Sequence, residues 1–107
     1  MNEEMSTKAQ MIFTKEDMER IVENIREDGK REVSVDLHRF SVKEAKRFLQ
    51  NIIAIENDTY TMKVIHGYNH GTAIRDMIQA DINNKRITKK EVSEINPGMT
   101  FLMIAAA

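Results

Sequence analysis

The sequence predicts an α/β protein, a compact two-layer sandwich with a β-α-β-α-β-β core and an added N-terminal helix. Short runs that alternate apolar and polar residues take turns with longer apolar stripes at a period near 3.6. The last two apolar runs are parted by Pro97-Gly98, a strong turn signal. One sheet with helices packed against it buries both kinds of face most economically.

Residues 1–12 are expected to be a flexible tail and residues 13–30 an amphipathic helix. Thr14 has the chemistry of an N-cap, with Asp17 at the third helical position. Phe13 and Met18 are placed for a hydrophobic staple. Met18, Ile21, Val22 and Ile25 recur at helical spacing, and Gly29 ends the segment. Residues 31–107 form the α/β domain. Val33, Val35 and Leu37 alternate with Ser34, Asp36 and His38 as in a strand. Ser41 and Glu44 make a capping box for a helix with Val42, Ala45, Phe48, Leu49, Ile52 and Ile53 on one stripe. That helix should stop near Asn57-Asp58. Tyr60 to Ile65 reads as a second strand, and a loop bracketed by Gly67 and Gly71 leads into a helix burying Ile74, Met77, Ile78 and Ile82. Lys90 to Asn96 and Met99 to Ala105 are expected to pair antiparallel. The first β-α-β unit should be parallel and right-handed.

Composition sets bounds on function. The 107 residues are 41% hydrophobic and 31% charged, as in ordinary globular proteins. Without cysteine there are no disulfides, thiol nucleophiles or cysteine-zinc sites. No apolar run reaches membrane-spanning length, and the polar, acidic start does not read as a secretory signal. A cytoplasmic protein with no membrane partner is the expectation. The net charge is −1, but it is unevenly spread. Residues 1–30 carry five basic and eight acidic side chains, whereas the remainder carries eleven basic and nine acidic. A basic surface built from residues such as Lys85, Arg86, Lys89 and Lys90, touching phosphates, competes evenly with an ordinary solvated one.

All three histidines lie in two short segments, Asp36-Leu37-His38 and His66-Gly67-Tyr68-Asn69-His70-Gly71. Each sits where a strand should end. Parallel neighbours put both C-terminal ends at one sheet edge, where ligands of open α/β sheets bind. Asp36 and His38 are two apart and so share one side of the strand. The loop from Gly67 to Gly71, with Thr72 after it, opens a helix whose free N–H groups suit a phosphate. Histidine moves protons near neutral pH, and a carboxylate supports its charged form. One histidine would act as base towards a ribose 2′-hydroxyl or a water. A second histidine, Arg39 or Arg75 would meet the developing charge. Asp36, His38 and His66 are also metal-ligand types, so a divalent metal is compatible, but the chemistry requires no cofactor.

Val35-Asp36-Leu37-His38, the amphipathic helix after it, and Ile65-His66-Gly67 to Gly71 followed by Ile74-Arg75 resemble the small MutS-related (Smr) domain over roughly residues 31–105. The resemblance implies a β-α-β-α-β-β sandwich and endonuclease activity, nicking or cleaving DNA or RNA. It assigns the motif aspartate and histidine to Asp36 and His38, the histidine-glycine loop to His66, Gly67 and Gly71, and the basic helix residue to Arg75. The chain departs from the family pattern at Arg39 and Asn69, which replace glycines, and at Tyr68, where lysine is frequent. Tyr68 has the shape to stack on an exposed base, and His70 adds an imidazole. Two other functions fit the same residues. One is nucleic-acid binding without catalysis; the other is protein association or self-association through residues 13–30.

Overall fold

The computed structural model describes residues 3–67 and 72–107. The N-terminal third differs from expectation. Residues Glu3–Ile12 form a helix, α1, where a tail was expected. Ala9 and Phe13 are buried, and the Phe13 ring lies 4.9 Å from that of Phe48. Thr14 does cap a helix, accepting a hydrogen bond from Asp17 N at 3.1 Å, but this helix, α2, is a single turn, Lys15–Met18. The chain then extends as strand β1, Ile21–Ile25, paired antiparallel with β2, Arg31–Asp36. Gly29, expected as a helix stop, is the hairpin's left-handed residue at φ +81°. Arg26 N donates to Lys30 O at 2.8 Å across the loop. The expected helix over 13–30 is therefore a turn of helix followed by an edge strand.

The remaining order is as expected: β2, α3 (Val42–Ile55), β3 (Tyr60–Ile65), α4 (Ala73–Ala80), β4 (Ile87–Val92) and β5 (Met99–Ile104). The sheet runs β1-β2-β3-β5-β4. β2 and β3 are parallel, and the other three pairings are antiparallel. β4 begins before the expected Lys90 and ends at Val92. The Ser41–Glu44 capping box is complete at the start of α3. Of its apolar stripe, Ala45, Phe48, Leu49, Ile52 and Ile53 are buried and Val42 is 37% exposed, because it lies in the first turn.

One face of the sheet meets the helices. Val33, Val35, Met62, Val64, Leu102 and Ile104 line it, and each is at most 2% exposed. Fully burying each such side chain stabilises the fold by about 1.5–3 kcal/mol. Two basic side chains close the far end. Arg86 donates from Nε to Ala105 O, from Nη1 to Ile53 O and from Nη2 to Asp58 O. Lys90 Nζ donates to the carbonyls of Ile78, Gln79 and Ile82 at the end of α4. No helix among the described residues is long and apolar enough to cross a membrane.

Candidate functional site at the β2–β3 edge

Parallel pairing sets Asp36 opposite Ile65, the residue before His66. Leu37 N then donates to Ile65 O at 2.9 Å. Asp36, His38, His66 and Gly67 thus flank one edge, as the alternation of β2 predicts. Asp36 and His38 are exposed while Val35 and Leu37 are buried. Asp36 Oδ1 accepts from the backbone N–H of His38 at 2.8 Å. The carboxylate therefore orders the turn, not the imidazole tautomer. The His38 ring makes no hydrogen bond among the described residues and is open to solvent.

Arg39 follows at φ +70°, the one non-glycine residue described with positive φ. That backbone suits glycine and disfavours an arginine. Arg20 braces the turn from the other side. Its carbonyl accepts from Asp36 N at 3.0 Å, and its Nη1 donates to Asp36 O at 3.1 Å and His38 O at 2.7 Å. The guanidinium carbon lies 4.0 Å from the Phe40 ring centroid, a cation–π contact.

His66 is held differently. Its Nδ1 lies 2.8 Å from Gly67 O, and its Nε2 lies 2.8 Å from Thr100 Oγ1. A carbonyl accepts, so Nδ1 carries the proton and, in the neutral ring, Nε2 accepts from the Thr100 hydroxyl. Burial pushes the His66 pKa below its ordinary value of 6.5, against the Gly67 hydrogen bond, and the Arg75 charge lowers it further. Gly98 O accepts from both His66 N and Gly67 N, at 2.9 and 3.0 Å. Gly67 has φ +70°, and a Cβ on Gly98 would stand 3.1 Å from Gly67 Cα. The close approach favours glycine at 98, and the positive φ favours it at 67.

Arg75, in the first turn of α4, is half-buried, with Nε 3.8 Å from Asp76 Oδ1. The Thr72 hydroxyl donates to Asp76 Oδ2 at 2.8 Å and makes no cap bond to the helix. Tyr68, Asn69, His70 and Gly71 lie outside the described residues. Among the described residues no group of three His, Asp or Glu is placed to hold one metal ion, so Asp36, His38 and His66 do not assemble as a shared metal site.

Of the four basic residues near β4 for which phosphate contact and an ordinary solvated surface competed evenly, Arg86 and Lys90 are bound to backbone carbonyls, and Lys89 Nζ lies 3.5 Å from Glu91. Sequence reasoning missed Arg20, Gly98 and Thr100. Gly98 was visible as a turn residue. Arg20 and Thr100 gave no signal, since their roles depend on β1 and β5 being placed beside the two histidine segments. No family model and no curated relative matches the chain.

Proposed function

We propose that the β2–β3 edge binds the backbone of DNA or RNA and cleaves a phosphodiester bond there, as a divergent Smr-like protein of the cytoplasm would. The observation that carries this reading is the exposed imidazole of His38, without a hydrogen bond among the described residues, on a backbone held by Asp36 and Arg20 at the same edge as His66-Gly67. Neutral His38 takes a proton from a ribose 2′-hydroxyl or a water as that oxygen attacks phosphorus. The bond from phosphorus to the leaving nucleoside oxygen breaks, and His38 returns its proton to that oxygen. Arg39 and Arg75 offset the charge on the phosphate. His66, with both ring nitrogens engaged, fixes the loop, and no proton passes through it.

The test is a cleavage assay on RNA and on nicked or branched DNA. We expect His38→Ala to lose on the order of a hundred-fold or more in rate, with His66→Ala losing activity alongside loop order. Unchanged cleavage in both variants removes the site. A second reading, binding without cleavage, is favoured by one feature: an exposed Arg39 stands beside His38 in the left-handed position that suits glycine, so a phosphate-binding cation takes the place of a bare backbone. It gives salt-sensitive binding with no turnover by any variant.

A further inference from the structure

The helices cover one face of the sheet and their buried residues form a single cluster with it. On the other face the registers place residues in rows. Ser34, Lys63, Phe101 and Glu91 form one row, and Glu32, Thr61, Met103 and Lys89 the next. At the site end Asp36, Ile65 and Met99 align. Along β5, the fourth of the five strands, Met99, Phe101 and Met103 make an apolar strip on this face, bordered by the 37% exposed Ile65 of the central strand β3. Its aromatic and methionine side chains are only half-buried, the composition that marks an interface.

We infer that this face binds a second copy of the chain, through a two-fold axis lying along β5 at Phe101. The argument is charge register. Lys63 and Glu91 stand on opposite sides of Phe101 in the same row. Two sheets stacked about 10 Å apart with aligned strands, related by that axis, lay each copy's β3 over the other's β4. Phe101 then meets Phe101, and Lys63 meets the second copy's Glu91 twice. An axis across the strands would set Lys63 on Lys63 and Glu91 on Glu91, which repel. The existing Lys89–Glu91 pair is exposed and weak, so Glu91 can serve both lysines. Nucleic acid fits the face less well, because Glu32, Glu91 and Asp36 stand on it beside the two lysines. The chosen axis also keeps both β2–β3 edges at one end of the dimer. That consequence rests on the proposed role of the edge, whereas the dimer itself does not.

Sedimentation of the full chain over a range of concentrations tests the inference. We expect a reversible dimer, weakened about thirty-fold by Phe101→Ser, as for a central interface aromatic. Lys63→Glu and Glu91→Lys should each weaken it, and the two together should restore it. Circular dichroism checks that each variant is folded; Met103→Lys replaces Phe101→Ser if the latter is not. A chain that stays monomeric at every concentration overturns the inference. So does a dimer indifferent to Phe101 and Met103, or a charge swap that restores nothing. A monomer whose nucleic-acid binding falls with Phe101→Ser would assign the face to nucleic acid and overturn it equally.

Discussion

Arg39 holds a backbone conformation that costs an L-residue about 1 kcal/mol or more. Phe40 N closes the turn on Leu37 O at 3.1 Å with Arg39 in its third position, and Arg20 and Asp36 hold the carbonyl and amide of His38 beside it, so the turn holds its shape whichever residue stands there. Arg39→Gly should therefore raise stability by about 1 kcal/mol, or roughly 4–8 °C in melting temperature for a domain of this size. If the side chain meets a phosphate, nucleic-acid affinity falls in the same variant. A lowered melting temperature would show that the arginine is held by contacts that outweigh its strain. His66 offers a pH test. Its native pKa lies below 6.5, so between that lowered value and 6.5 the unfolded chain binds more protons than the native one. Stability should fall as pH drops through this window, then level off below the native pKa. In an NMR titration the His66 ring should protonate below the ordinary histidine range. His66→Gln should remove this component of the pH dependence.

At the scale of elements, β1 decides whether the domain stands alone. Ile21 covers Val35 in register, and Glu23 Oε1 binds Arg31 Nε at 2.5 Å. Arg31 also reaches buried Glu56 at 2.6 Å. A chain beginning at Arg31 would expose the edge of β2, lose the Arg20 brace and leave Arg31 and Glu56 without their cover. It should show far less ordered structure by circular dichroism than the full chain; an equally cooperative melt would mean β1 is dispensable. By contrast, Ser41→Ala should cost only about 1 kcal/mol, the ordinary worth of an N-cap. These two elements also show what sequence could reveal. α3 was legible because cap and stripe agree over fourteen residues. β1 was not, because Ile21 and Ile25, four apart, share a face in a helix and in a strand alike. Asp28-Gly29 served as well for a helix stop as for a hairpin. The edge carrying Asp36, His38 and His66 was legible because parallel β-α-β pairing follows from the element order. The braces from Arg20 and Thr100 were not, since they come from strands whose neighbours no local pattern specifies.

For the whole molecule, charge decides how any nucleic acid is held. The net charge is −1, and Arg86, Lys90 and Arg31 are bound within the fold. If the β2–β3 edge binds a phosphate backbone as proposed, its affinity comes from the few cations there, Arg39 and Arg75. The number of phosphates neutralised is readable from salt dependence, because each contributes a slope of about −0.7 for single strands and about −0.9 for duplex. With Arg39 and Arg75 as the principal contacts, the slope should be shallow, and Arg39→Ala should reduce its magnitude by about 0.7 on single strands. Lys90→Gln should leave the slope unchanged while lowering the melting temperature, since Lys90 Nζ binds three carbonyls at the end of α4. Titrations of both variants against labelled single strands at several salt concentrations separate the two roles. A slope that falls with Lys90→Gln and not with Arg39→Ala would move the binding surface from the β2–β3 edge to β4.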